Sequence, residues 1–302
     1  MTNATNPPAK LYAGIEAGGT KFNCVIGSDP LNVIERTKIP TTTPEETLTK
    51  TLEFFASQRE KHGKLNALGI ACFGPVDLHK DSPTYGYITA TPKKHWSQTD
   101  VAGFFARALG IPIEFDTDVN GAALGEQLFG AAVGIEDFVY VTIGTGIGAG
   151  VVANGQAVNG IVHTEFGHML ISRDRERHQF ENICPFHDSC LTSVAAGPAI
   201  KARWNVAGND LPEDHEAWDL EAYYLAVMCV NITLCLSPRL IILGGGVMDQ
   251  SQLYPKIRQQ FKELMNGFMM PPGDLADYIV PPGRPGRSGE IGALALAIRS
   301  GA

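Results

Sequence analysis

The stretch Leu11–Gly27, LYAGIEAGGTKFNCVIG, decides the fold. Two apolar runs rich in strand-forming residues flank Gly18-Gly19, and they read as two strands joined by a tight glycine turn. Gly14–Lys21 comes close to the phosphate-loop pattern GxxxxGK[ST], but here Thr20 precedes Lys21. That motif also opens a helix, whereas TKFNCVIG continues as a strand, so the P-loop reading fails. What remains is a hairpin whose bare glycine N–H groups can cradle an anion. Lys21 would add a point charge, and Glu16 could hold a magnesium ion through water.

Outward from this hairpin, NVIERTKIP adds a third strand. PEETLTKTLEFFASQREKHG is a helix opened by Thr43-Pro44 and closed by Gly63. LNALGIACFG reads as a buried strand, WSQTDVAGFFARALG as a helix, IPIEFDTD as a strand and VNGAALGEQLFGAA as a helix, an α/β order. The pattern then begins again with EDFVYVTIGTG and IGAGVVANGQAVNG. Gly144–Ala149 satisfies GxGxxG/A, but a dinucleotide site needs a helix directly after the turn, and GAGVVANG is strand-like. It is a second hairpin, either a plain turn or another phosphate cradle. LEAYYLAVMCVNITLCLS is a long apolar helix, PRLIILGGG a strand, SQLYPKIRQQFKELM a helix, and SGEIGALALAIRS a final alanine-rich helix. The run Gly244-Gly245-Gly246 lets a flat group lie against the backbone, or simply links strand to helix. Two related α/β domains facing one another across a cleft are expected, with the break near residue 119.

The chain has 302 residues, enough for two domains with substantial cores. At 44% hydrophobic and 19% charged it reads as a globular protein rather than a disordered or fibrous one. A formal net charge of −8 repels phosphate backbones and argues against nucleic acid as a partner. MTNATNPPAK carries no basic leader, and no stretch reaches the ~18 apolar residues of a membrane span, so a cytoplasmic protein with no membrane partner is expected. Of its six cysteines, Cys24, Cys72, Cys229 and Cys235 sit in apolar surroundings and read as buried small hydrophobes, while Cys184 and Cys190 lie in a polar loop.

Together the two hairpins and the triple-glycine turn resemble the sugar-kinase, actin and Hsp70 superfamily. More closely the chain resembles the ROK sugar kinases, and among them the bacterial ROK fructokinases. IEAGGTKF resembles the first phosphate loop, with Glu16 where most of the family has Asp. CFGPVD matches the G-P-V-D turn ending at Asp77, and ITATPKKHWSQTDV the fructokinase form of the segment after it. DTDVNGAALGE resembles the catalytic segment, TIGTGIGAG the second phosphate loop, LGGGVM the adenosine loop, and HTEFGH with ICPFHDSC the sugar- and zinc-binding insert. The likeness runs from about Leu11 to Ile298. It implies two ribonuclease H-like domains of actin/hexokinase type around an ATP/sugar cleft. Residues 1–118 and 119–285 would form the domains, the second carrying the zinc insert, and 286–302 a helix packing back on the first. The implied reaction is ATP-dependent phosphorylation of a hexose at its 6-hydroxyl, fructose to fructose 6-phosphate. A mannokinase, a glucokinase, an N-acylhexosamine kinase or a non-catalytic sugar-binding member are the alternatives. A homodimer is implied by kinship alone.

Phosphoryl transfer needs positioning, neutralised charge and a group to take the hydroxyl proton. Asp116 and Asp118 end an apolar strand and, within a strand, would share a face. Asp118 either caps the helix beginning at Val119 or serves as a base, and the resemblance aligns it with the family's general base. Asp116 reads as structural. The resemblance assigns ATP to Gly18, Gly19, Thr20, Lys21, Thr145, Gly146, Pro198, Gly244, Gly245, Gly246, Val247 and Met248, with Mg²⁺ near Glu16. It assigns the sugar to Asp77, Thr117, Glu165 and His168, with His163 either a sugar contact or a solvated loop histidine. Thr117 replaces an Asn, and Thr192 follows Cys190-Leu191 where glucokinases carry a sugar-binding Glu, which favours fructose or mannose over glucose. Cys184-x2-His187-x2-Cys190 with His168 makes either a His2Cys2 set, the number and type a structural zinc ion takes, or two free surface cysteines and an unconnected histidine.

Overall fold

The computed structural model describes residues 10–173, 176 and 183–301. Most of the N-terminal segment read above for a leader therefore lies outside the described residues. The chain divides into two compact units, one running to Gly125 and including Gly289 onward, the other Glu126–Ser288. The units divide after Gly125, seven residues beyond Asp118 (125 − 118) and inside a helix, and the C-terminal helix groups with the first unit.

In the first unit the elements are β1 (Leu11–Ala17), β2 (Lys21–Gly27), β3 (Val33–Pro40), α1 (Pro44–His62), β4 (Leu65–Cys72), the short pair β5 (Tyr87–Ile88) and β6 (Thr99–Asp100), α2 (Val101–Leu109), β7 (Ile113–Thr117) and α3 (Asp118–Phe129). The sheet order is β3-β2-β1-β4-β7. β1 runs antiparallel to its hairpin partner β2 and parallel to β4, which is parallel to β7. Local chemistry sets the helix ends. Thr43 accepts the Glu46 N–H at the start of α1, Asp100 accepts the Gly103 N–H at the start of α2, and Gly63 and Gly110 close them.

Alternation along the strands gives the sheet two buried faces. Ala13, Ile15, Ala17 and Phe115 pack with Phe55 and Phe105 of α1 and α2 in one core. Tyr12, Val25 and Ala67 meet Leu294 and Ala297 of the C-terminal helix on the other. By the same parity Glu16 and Asp116 stand on the C-terminal-helix side of the sheet.

The second unit repeats this plan with β8 (Phe138–Ile143), β9 (Ile147–Ala153), β10 (Gln156–Ala157), α4 (Leu191–Ala195), α5 (Gly197–Trp204), α6 (Ala217–Leu236), β11 (Leu240–Gly244), α7 (Leu253–Met265), α8 (Leu275–Tyr278) and β12 (Ile279–Val280). The chain closes with α9 (Ser288–Ser300). The second sheet, β10-β9-β8-β11-β12, has the same antiparallel hairpin followed by parallel strands. Val139, Val141 and Ile143 face a core filled by α6 and α7, with Trp218, Leu225, Met228 and Ile257 buried in it.

Two sequence expectations need correction here. α6 is long and apolar enough, by length and composition, to cross a membrane, contrary to the reading that no such stretch exists. It is the core helix of the second unit, with 56% of its most apolar window buried. Cys235 is exposed, whereas Cys24, Cys72 and Cys229 are buried as expected. It falls in the last turn of α6, where Leu234 and Leu236 are also exposed.

Candidate functional site

The register of the first sheet brings separate motifs to one edge. Ala17 pairs with Cys72, and Cys72 with Thr117, so β1, β4 and β7 end side by side. The glycine hairpin follows the first, the Asp77 turn the second and Asp118 the third. Carboxyl ends of parallel strands are where open α/β sheets bind ligands, because the loops there are free to diverge while the strands hold them in register.

Asp118 is the first residue of α3 and not the last of a strand, so the same-face pairing expected with Asp116 does not hold. The cap belongs to Thr117, whose hydroxyl accepts the Asn120 N–H at 3.0 Å. Thr117 is 2% exposed. Asp118 Oδ1 accepts the Val119 N–H at 2.9 Å. Asp116 Oδ1 accepts the Thr117 N–H at 2.8 Å and the Asn120 side-chain amide at 2.7 Å. Burial pushes its carboxyl above the ordinary aspartate value, with those two hydrogen bonds pulling the other way.

The first hairpin closes with the Gly18 N–H donating to the Lys21 carbonyl at 3.0 Å, leaving Gly19, Thr20 and Lys21 exposed. Thr41 supports its tip, its hydroxyl donating to the Gly18 carbonyl at 2.7 Å and its N–H to the Thr20 carbonyl. Trp96, fully buried, braces the neighbouring segment by donating its indole N–H to the Thr42 carbonyl at 2.8 Å. Glu16 accepts the Asn23 amide at 2.8 Å. Burial raises its carboxyl, and the Glu290 carboxylate on α9 raises it further. A divalent cation would relieve that like-charge pair, so the residues fit a magnesium site reached through water. Asp77 is engaged by its own loop, accepting from Ser82 Oγ at 2.5 Å, Thr84 Oγ1 at 2.7 Å and the His79 N–H at 3.0 Å. Those hydroxyls hold its carboxyl below the usual aspartate range.

The second unit shows the same edge. Thr142 pairs with Gly244, so the Gly144–Gly146 turn and the triple-glycine turn lie together. Gly144 closes its turn by donating to the Gly146 carbonyl and accepts the Gly197 N–H at 2.8 Å, which seats the start of α5 beside it. Gly245 has φ +89°, and a Cβ there would lie 2.4 Å from the Ile143 carbonyl oxygen, so only glycine lets the turn pass so close. A cavity of about 480 Å³ opens here, within the range of small-molecule sites. Of the residues expected to hold nucleotide, Thr145, Pro198, Gly246 and Val247 line it. Gly146, Gly244, Gly245 and Met248 do not: Gly244 is packed against Tyr140 and Pro282, and Met248 is buried. Lys201, Asn209, Trp218 and Gln250 also line the cavity and were missed. Only a helical spacing of four between Gly197 and Lys201 could have signalled any of them.

The four zinc candidates come together. One ligand atom from each of His168, Cys184, His187 and Cys190 lies within 4.8 Å of the others. The two histidine Nδ1 atoms are 3.3 Å apart, and Cys184 Sγ is 3.6 and 3.8 Å from them. Bond lengths of about 2.05 Å to nitrogen and about 2.3 Å to sulfur give a zinc tetrahedron edges of about 3.3 and 3.6 Å, so the donor set fits that ion. Pairing of Leu170 with Cys190, and of Ile171 with Ser189, draws the two ligand segments together. Gly167 seats the loop on the second hairpin, since a Cβ there would meet the Ile147 carbonyl oxygen at 1.9 Å. Glu165 is exposed, and buried His163 has Nδ1 3.5 Å from its carboxylate.

The profile of the ROK family matches residues 12–300. A fructokinase of Lactococcus lactis subsp. cremoris is 44% identical over 95% of this chain and 96% of its own. A fructokinase of Pediococcus pentosaceus is 45% identical over 95% and 97%. A crystal structure of a ROK family glucokinase from Streptomyces griseus, in complex with glucose and AMPPNP, superposes with a TM-score of 0.79 at 22% identity, covering 96% of this chain and 99% of that one. The fold is thus the actin/hexokinase-like, two-domain α/β type seen in the ROK sugar kinases. With the profile spanning almost every residue and relatives above 40% identical along nearly the full length, the chain belongs to the ROK family.

Proposed function

We propose that the protein is an ATP-dependent fructokinase that transfers the γ-phosphoryl group to the 6-hydroxyl of fructose. The observation that carries the reading is the division of labour at the end of β7. Thr117 Oγ1 caps α3 at the Asn120 N–H, and the Asp118 carboxylate accepts the adjacent Val119 N–H through Oδ1. Its position at the edge shared with the first glycine hairpin suits a group that takes the proton of the attacking hydroxyl. The backbone amides of each glycine hairpin are donors suited to phosphate, and the cavity beside Gly246 suits the nucleoside. Mg²⁺, when bound near Glu16, neutralises phosphate charge. Zinc held by His168, Cys184, His187 and Cys190 is structural, fixing the loop that carries Glu165, which with Asp77 is assigned to the sugar; Thr117, 2% exposed with its hydroxyl on the Asn120 N–H, is withdrawn from that role. Thr192 in place of a carboxylate favours fructose or mannose over glucose. We assign the enzyme to the cytoplasm as a homodimer, a state that sedimentation of the purified protein tests.

The test is ADP release from Mg·ATP with fructose, mannose, glucose and N-acetylmannosamine supplied one at a time. Strong release with fructose alone is expected. Preference for another sugar would overturn the specificity, and no release with any sugar from folded, zinc-replete protein would overturn the kinase reading.

A further inference from the structure

Asp118 is flanked on both sides in sequence by residues that bond to one another. Asp116, two positions before it, and Asn120, two positions after it, meet through Asp116 Oδ1 and the Asn120 side-chain amide at 2.7 Å. The same oxygen accepts the Thr117 N–H, and the Thr117 hydroxyl accepts the Asn120 N–H. Asn120 is 4% exposed, so these bonds are made away from water, where they hold geometry most firmly. The last residues of β7 and the first turn of α3 are thereby cross-linked around the one residue between them that the mechanism uses.

A general base must stand within about 2.6–3.2 Å of the proton it takes, and a misplacement of about 1 Å can cost about 100-fold in rate. The strand-to-helix junction is a place where a backbone could pivot by that much. We propose that Asp116 and Asn120 are a positioning pair that fixes the direction in which Asp118 projects, an inference that rests on Asp118 being the base. Asp116 acts as a hydrogen-bond acceptor and not as an acid or base: both donors that reach it are N–H groups on a single oxygen. An asparagine carbonyl would serve them equally well, while an alanine would serve neither.

That difference makes the test. Turnover and KM for fructose are measured on the full-length protein for Asp116→Asn, Asp116→Ala, Asn120→Ala and Asp118→Asn, with thermal unfolding followed for each. Asp116→Asn is expected to keep kcat within about 3-fold, whereas Asp116→Ala and Asn120→Ala lose about 10- to 100-fold in kcat with KM for fructose changed by less than about 3-fold. Wild-type turnover in Asn120→Ala would overturn the pair. So would an Asp116→Asn variant as inactive as Asp118→Asn, because the charge of Asp116 would then be needed. Should the alanine variants not fold, rescue by Asp116→Asn relative to Asp118→Asn still decides. Full activity in Asp118→Asn would instead remove the base reading on which this rests.

Discussion

Asp77 shows how a residue assigned to substrate can first have to build its own loop. Its carboxylate is stabilised in the ionised form by Ser82, Thr84 and the His79 N–H, which depresses its pKa below the ordinary value of 3.8. A depressed carboxylate stabilises the fold above its unfolded pKa, and that contribution disappears as pH falls through the lower folded value. Wild type should therefore be more stable than Asp77→Asn at pH 7 in urea titrations, and the gap should close below about pH 3.8; a gap independent of pH would contradict the bonding. At this scale the sequence was informative where chemistry is local. The ligand types and spacing of Cys184, His187 and Cys190 pointed to one another, and the three side chains meet with His168. It misled where an element ended one residue sooner than periodicity implied, as at Thr117, where the same-face pairing of the aspartates was lost. It misled again at Cys235, apolar in context but on the open end of its helix.

Hairpins and helices were the most legible elements, because turn glycines between apolar strands leave little choice of conformation. The links that hold elements together were not. Nothing in the sequence says that Trp96 donates to the Thr42 carbonyl, or that Gly167 must let its loop touch Ile147. Pairing of residues 170–171 with 189–190 draws together the segments that carry His168, Cys184, His187 and Cys190, and the four side chains converge on one point. Zinc bound there should add to the order of those segments. The purified protein is expected to contain about one zinc per chain by elemental analysis. Removing it with a chelator should lower the thermal midpoint and raise KM for fructose, and readding zinc should restore both. Metal-free protein with unchanged stability and kinetics would contradict the assignment.

At the scale of the molecule, two sheets of the same strand order were visible as a sequence that begins again, whereas the contacts that close the second unit were not. One such contact centres on Glu126. It is fully buried, and its carboxylate accepts from Ser288 Oγ at 2.6 Å, the Ala131 N–H at 2.7 Å and the Gly283 N–H at 2.8 Å. Two of those donors lie 162 and 157 residues away, beyond any local pattern. Glu126 and Ser288 are also the first and last residues of the second unit, so one carboxylate ties both points where the chain passes between units. Glu126→Ala should cost about 3 kcal/mol or more in urea unfolding, because several buried donors lose their acceptor together; a loss under about 1 kcal/mol would show the node to be dispensable. In the proposed reaction the sugar hydroxyl loses its proton to Asp118. The most direct measurement is kcat for fructose with saturating Mg·ATP in Asp118→Asn. A fall of about 100-fold or more, with the fold and nucleotide affinity intact, is the predicted result, and turnover equal to wild type would contradict the account.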